Sequence, residues 1–258
     1  SSISNNHHHC FEFYDKIERI LQFFKTEISK FFVNSEIFDI FKGNKRILLY
    51  LFEENILKID KYFVQNITSQ KFINLKYHQY FSPEIRPYFK KSDEKWVQEI
   101  FNELPSNFYE NRKIGENENT ICKLIREDAI DDFILYINKT KISLESYINP
   151  SIYETNSFLL NKEEISLILY AIFCGSIKIA RYLKSRYVKL SPLYFLYVIH
   201  SNNAEIFHEF DFLNDLKKSI SFEEAIKCHH NEIAQYINDF TVYNSFEINI
   251  YFFTINHD

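Results

Sequence analysis

Cysteine and histidine side chains near the end of the chain have the types that metal chemistry uses. The segment CHHNEIAQYI begins at Cys228, continues with His229 and His230, and then contains an acid. Thiolate, imidazole and carboxylate groups bind zinc, and Cys174 or His208 would be the added ligands. Structural zinc sites use paired ligands at fixed spacing, and adjacent histidines rarely point at one ion. The spacing therefore argues against zinc, and we predict no metal and no cofactor.

The same thiol also suggests a cysteine nucleophile with a neighbouring histidine as its base. Such catalysis requires a base aimed at sulfur, a group that orients the base, and a pocket, none of which follows from adjacency. The acidic pairs Glu163-Glu164 and Asp131-Asp132 fit helix starts better than acid–base catalysis. The chain has no phosphate-binding loop, no dinucleotide glycine pattern and no H-E-x-x-H motif. We therefore predict that the protein is not an enzyme.

A repeat of 27 residues gives these side chains another explanation. Ungapped segments begin at Leu167, Tyr194 and Ser221, each 27 residues after the last. Each segment predicts a helix, a tight turn and a second helix. Two columns contain isoleucine in every segment: Ile172, Ile199 and Ile226, then Ile179, Ile206 and Ile233.

The predicted turns account for the histidines. Gly and Asn often adopt the left-handed conformation that ends a helix, and they occupy the turn positions of the first two segments. In the third segment His229 and His230 occupy those positions, and Cys228 shares a column with Cys174 and Ser201. The predicted turn residues are Gly175, Ser176, Asn202, Asn203, His229 and His230.

The segment AIFCGSIKIARYL resembles the second half of an ankyrin repeat, with Ala171, Gly175, Ile179 and Leu183 at matching positions. The blocks ENENTICKLIREDAIDDFILYIN, PSIYETNSFLL, CGSIKIARYLKSRYVKLSP, LYVIHSNNAEI and AIKCHHNEIAQYI are similar to one large ankyrin-like family. That family is a domain of unknown function that is expanded in trichomonad protists. The resemblance implies an all-α solenoid of stacked helix pairs that binds proteins. Ankyrin repeats have about 33 residues, so we expect shortened or absent β-fingers here.

The region before the repeats is less regular. Gly43, Ile47 and Leu51 have the same offsets as Gly175, Ile179 and Leu183, which indicates irregular helices continuing the solenoid upstream. We predict four regions: a disordered segment 1–10, a helical region 11–110, a repeat domain 111–240 with units at 167–183, 194–210 and 221–237, and a tail 241–258.

Composition limits the class of protein further. Only 3 Gly and 5 Pro among 258 residues favour helices over a turn-rich β-sandwich. A net charge of −5, with both signs mixed along the chain, argues against a broad nucleic-acid surface. No apolar run is long enough for a membrane span. Four widely spaced cysteines suggest reduced thiols, so we predict a cytoplasmic protein, with a nuclear location left open.

The function that we predict is non-catalytic binding of another protein on the concave surface of the solenoid. Three alternatives stay open: a Cys/His metal-binding protein, a helical enzyme, and a truncated family member without activity. Aromatic side chains often anchor interfaces, although the two tyrosines in the set also suit the core. The predicted partner-binding residues are Tyr170, Phe173, Tyr197, His200, Glu224 and Lys227.

Overall fold

The computed structural model describes residues 11–92, 94–162, 164–210 and 218–242. Every regular element in these ranges is helical, which agrees with the predicted all-α class. The predicted disordered segment 1–10 and tail residues 243–258 lie outside the described ranges. None of the described helices is both long and apolar enough to cross a bilayer.

The chain divides into two compact units. The first contains residues 1–123 and 149–165, and the second contains residues 124–148 and 166–258. A boundary at residue 111 was predicted from the sequence, whereas the division falls inside a helix and a later segment returns to the first unit.

Short helices build the first unit around an aromatic core. Phe38, Phe63 and Phe81 are fully buried, and their rings meet edge to face at centroid distances of 5.2 and 5.3 Å. This geometry aligns the positive ring edge with the negative ring face. The elements are α1 (Phe11–Phe23), α2 (Lys25–Phe31), α3 (Asn34–Phe41), α4 (Lys45–Glu53), α5 (Lys61–Ile67), α6 (Gln70–Asn74), α7 (Tyr77–Tyr80), α8 (Ser82–Ile85), a 3₁₀ turn (Arg86–Tyr88), α9 (Lys95–Phe101), α10 (Phe108–Ile114), the start of α11 (Thr120–Arg126) and α13 (Ser157–Leu160).

A buried lysine holds the returning segment in the first unit. Lys45 begins α4 with no exposed surface, and its Nζ donates to the carbonyl oxygens of Ile152 and Glu154 at 3.3 and 3.2 Å. Its Nζ also lies 5.2 and 5.5 Å from the ring centroids of Tyr77 and Tyr80. Desolvation lowers the pKa of Lys45 to about 7.

Helix pairs build the second unit. α12 (Ile130–Thr140) follows the end of α11, and three pairs come after it: α14 (Leu167–Phe173) with α15 (Ile177–Ser185), α16 (Tyr194–Ser201) with α17 (Ala204–Glu209), and α18 (Lys218–Lys227) with α19 (Asn231–Val242). The first helices contact one another in the order α14, α16, α18, and the second helices α12, α15 and α17 do the same.

The turn inside each pair has one left-handed residue. Gly175, Asn202 and His229 have φ values of 73°, 46° and 57°, at the 27-residue spacing that the sequence indicates. An additional turn of this kind occurs at Asp128, where φ is 48°, between α11 and α12. Gly43, the proposed upstream equivalent, is not among the residues with positive φ.

The pH dependence of stability tests the buried lysine. Because the folded pKa of Lys45 is depressed, the unfolded chain binds more protons than the folded chain between about pH 7 and the usual lysine pKa. The substitution Lys45→Met removes this difference in proton binding. We expect the wild-type free energy of unfolding to rise with pH relative to the variant, by at most about 1.4 kcal/mol per pH unit.

Urea unfolding at several pH values between about 7 and 10 measures the slope. Lys76→Met is a comparison variant in which the pH dependence should persist, because Lys45 stays desolvated when the exposed bond from Lys76 Nζ to the Pro150 carbonyl oxygen and the smaller effect of the Lys76 charge on Lys45 are removed. Parallel pH profiles for wild type and Lys45→Met would show that the lysine is not desolvated in the folded protein.

The conformation of the first turn is tested at Gly175. A Cβ at this position meets Asn203 Nδ2 at 3.1 Å, and the residue must keep positive φ. Gly175→Ala should therefore lower the free energy of unfolding by about 1–2 kcal/mol. Gly175→Asn adds the same Cβ but tolerates the left-handed region, as Asn202 does, and should cost clearly less in thermal or urea unfolding. Equal losses would assign the effect to crowding rather than to φ.

Candidate functional site

The six predicted partner-binding residues lie on the first helices of the three repeat pairs. Each helix contributes two residues that are one turn apart and so share a face. They are Tyr170 and Phe173 on α14, Tyr197 and His200 on α16, and Glu224 and Lys227 on α18.

Four of these side chains are buried, which differs from their predicted role on a surface. Tyr170, Phe173, Tyr197 and His200 are only 1–3% exposed. For the two tyrosines, the sequence had left a position in the core open as an alternative, and both are in the core. Their rings, with that of Phe173, contribute large apolar areas that folding removes from water. Among the six, Lys227 is the one whose side chain is mostly exposed, at 64%.

The structure nevertheless connects four of the six predicted residues, together with Arg126, in one continuous line of contacts. Arg126 Nη1 donates to the Tyr170 hydroxyl at 2.9 Å, and the Tyr170 ring stacks on Phe173 with centroids 6.4 Å apart. The Phe173 ring lies 6.2 Å from the ring of His200, which bonds to the next helix through Glu224. We call this set the buried ladder: Arg126, Tyr170, Phe173, His200 and Glu224.

The last step of the buried ladder brings polar groups together. His200 Nε2 and Glu224 Oε1 are 2.8 Å apart, and Lys227 Nζ is 3.8 Å from Glu224 Oε2. Cys228 Sγ lies 3.6 Å from His200 Nε2 and 3.7 Å from Nδ1. Cys228 is fully buried, and Glu224 keeps 20% of its side chain exposed.

This arrangement does not activate the thiol as a nucleophile. Sγ is almost equally distant from both ring nitrogens, which places it over the imidazole rather than in line with a nitrogen lone pair. Desolvation, with the nearby Glu224 charge, raises the pKa of Cys228 to about 12. A buried neutral thiol packed on a ring behaves as a small apolar side chain.

The side chain of the second residue in each predicted turn also donates a hydrogen bond to a backbone carbonyl oxygen. The Ser176 hydroxyl donates to the carbonyl oxygen of Ile125, and Asn203 Nδ2 donates to that of Gly175 at 3.4 Å. His230 Nδ1 donates to the Ile199 carbonyl oxygen at 2.9 Å, which uses that ring nitrogen in packing. These bonds link one helix pair to the pair before it.

The pairing of His200 with Cys228 was not predicted from the sequence. The predicted zinc ligands were Cys228 and its neighbouring histidines with Cys174 or His208, whereas the structure brings His200 to Cys228 across two stacked repeats. The repeat contained the information for this pairing, because His200 and Lys227 share a column. Glu224 and Cys228 lie close to Lys227 in the sequence, before it and directly after it. Stacking brings equivalent columns side by side. His208 and His229 are exposed, and Cys174 is half-buried, outside this group.

Comparison with protein-family models, curated proteins and solved structures finds no match for this chain. The resemblance to the ankyrin-like family therefore rests on the sequence blocks alone.

Alanine substitutions should distinguish the buried residues of the predicted surface from the exposed Lys227 by their effect on stability. Phe173→Ala should lower the free energy of unfolding by about 3–5 kcal/mol, because it removes a buried ring and leaves a cavity. Lys227→Ala should change it by less than about 0.5 kcal/mol, since the side chain is solvated. Urea unfolding measures both. A Phe173→Ala protein as stable as Lys227→Ala would contradict the burial of the ring.

Proposed function

We propose that the chain is a non-catalytic protein-interaction module whose helix pairs form an ankyrin-like solenoid. The observation that supports this is the regular packing of the second unit: first helices contact first helices, and second helices contact second helices. Each of the three repeat pairs also has a left-handed residue at the same position of its turn. Modules of this kind display long surfaces assembled from neighbouring repeats, and such surfaces suit protein partners.

The segments that connect one pair to the next provide the contact surface. Tyr187 is 92% exposed, Tyr147 is 56% exposed and Leu193 is 46% exposed. Tyrosine is frequent among the residues that contribute most to protein interfaces, and its ring loses little conformational entropy on binding. We call these three residues, with Lys141 and Lys189, the connecting edge.

Two bonds hold the connecting edge in place. The Lys189 backbone N–H donates to Glu145 Oε1 at 3.2 Å, which joins one connecting segment to the next. Tyr147 forms an isolated antiparallel bridge with Ser166 at the start of α14. A surface that is ordered before binding loses less entropy when a partner arrives.

Charge indicates the kind of partner. Lys141, Arg186 and Lys189 are exposed on the connecting segments, where Glu145 is the acid between Lys141 and Tyr147. This combination of basic and apolar side chains is complementary to a partner surface that has acidic groups beside an apolar patch. The connecting edge thus replaces the first-helix surface as the proposed contact, because the aromatic side chains of the first helices are buried.

Site-specific photocrosslinking tests the connecting edge. A photoreactive phenylalanine analogue at Tyr147 or Tyr187 should yield the same adduct in native extract. Lys178 on α15 is the control position, because it is exposed on a second helix and away from the connecting segments. A double charge reversal, Lys141→Glu with Lys189→Glu, should reduce the adduct at least tenfold if acidic groups bind there.

Two outcomes would oppose the proposal. Equal labelling of many proteins from all three positions would indicate nonspecific contact. A specific adduct from Lys178 alone would assign partner binding to the second helices instead.

A further inference from the structure

Three side chains with metal-binding atoms converge where α16 meets α18. His200, Glu224 and Cys228 each offer one donor atom, and the three atoms lie within 4.8 Å of one another. Glu224 lies on α18 and Cys228 directly follows its last residue, one helical turn further on, and His200 reaches them from α16. We propose that these residues bind a divalent transition-metal ion, with Zn²⁺ as the ion that their chemistry favours. This site is independent of the connecting edge and adds to the proposed function.

The donor distances are close to those of a tetrahedral zinc site. With Zn–S of about 2.3 Å and Zn–N of about 2.0–2.1 Å, the sulfur and nitrogen ligands are about 3.5 Å apart. Cys228 Sγ and His200 Nε2 are 3.6 Å apart. His200 Nε2 and Glu224 Oε1 are 2.8 Å apart and must separate to about 3.3 Å to admit an ion.

Binding also requires one local rearrangement. Sγ now lies over the His200 ring, so the Cys228 side chain turns toward the Nε2 edge, where the ion replaces the hydrogen bond to Glu224. The thiol proton is released to solvent, and the neutral imidazole carries its own proton on Nδ1. The Lys227 side chain is 64% exposed, and its ammonium group has to move away from Glu224 as the ion enters.

Charge balance suits a buried ion. His200 and Cys228 are buried, and an uncompensated double charge would be strongly unfavourable there. The Cys228 thiolate and the Glu224 carboxylate together neutralise a divalent cation, and the imidazole is uncharged. The exposed part of Glu224 gives the ion a route from solvent.

The ligand types select the ion. Thiolate and imidazole disfavour Mg²⁺ and Ca²⁺, which prefer oxygen ligands, and favour zinc and its spectroscopic substitute Co²⁺. Three protein ligands leave a fourth position for water. An ion bound here connects α16 to α18, and its binding free energy would add to the stability of the last helix pair.

Cobalt binding to the full chain tests the site. Titration with Co²⁺ should produce a sulfur-to-cobalt charge-transfer absorption and the intense visible bands of tetrahedral cobalt, at one ion per chain. Cys228→Ser should abolish the charge-transfer absorption. Cys174→Ser is the matched control, because it alters the equivalent column of the first repeat, and it should leave the spectrum unchanged.

A second variant keeps the test valid if Cys228→Ser is poorly folded. Glu224 is partly exposed, so Glu224→Gln should retain the helical circular dichroism spectrum, and it should weaken cobalt and zinc binding more than tenfold. The N-terminal histidines His7, His8 and His9 and the neighbouring Cys10 offer other donors, so each titration is repeated with all four replaced.

The proposal is overturned if the four N-terminal replacements remove all bound metal, or if Cys228→Ser and Glu224→Gln bind as the wild type does. Crosslinking from the connecting edge is unaffected by either result, so failure of the metal site and failure of the interaction proposal are separable.

Discussion

Helix α14 is the constraint on which the second unit depends, because it is buried along its whole length. All seven residues from Leu167 to Phe173 are buried. A helix without a polar face cannot stay in water and must be enclosed by other elements. Its partner α15 covers it within the pair, and α16 covers it from the next pair. The recurrence of similar apolar columns every 27 residues follows from this need, because each first helix must bury its neighbour.

Enclosing these helices also encloses polar groups, and each such group needs a partner. The Tyr170 hydroxyl accepts from Arg126, and the His200 ring bonds to Glu224. His230 and Ser176 donate to carbonyl oxygens of the preceding pair. These bonds are directional, so they set the register between pairs, whereas apolar contact alone tolerates sliding. Polar side chains in the repeat therefore specify how the pairs stack.

The features that repeat along the chain could be predicted from the sequence. The 27-residue period gave the helix pairs, and the choice of Gly, Asn and His at one column indicated a left-handed turn that Gly175, Asn202 and His229 all adopt. Local signals for helix starts were less reliable. The third repeat segment begins at Ser221, but α18 already starts at Lys218 and Ser221 is buried within it.

Structural features that depend on contacts between residues distant in the chain could not be predicted from the sequence pattern. Ser166, which precedes the first repeat segment, caps α14 through a bond to the Leu169 N–H. Ser166 also forms an antiparallel bridge with Tyr147, which comes before the returning segment in the chain. Likewise, nothing near Lys45 in the sequence reveals that its ammonium group binds a segment about 110 residues later.

Burial of His200 was the main unexpected feature of the site, and it changes which surface is available for function. A histidine that shares a repeat column with Lys227 suggests a solvent-facing position, and the Lys227 side chain is 64% exposed. His200 instead lies between the Phe173 ring and the next helix, with Cys228 against its face. The central first helix can therefore offer little to a partner, because its aromatic groups are already used in packing. Exposed aromatic area remains on the connecting segments, where Tyr187 and Tyr147 project into solvent. The proposed contact surface and the stacking of the pairs thus involve different residues of the same repeat, so a substitution on the connecting edge should leave the packed core intact.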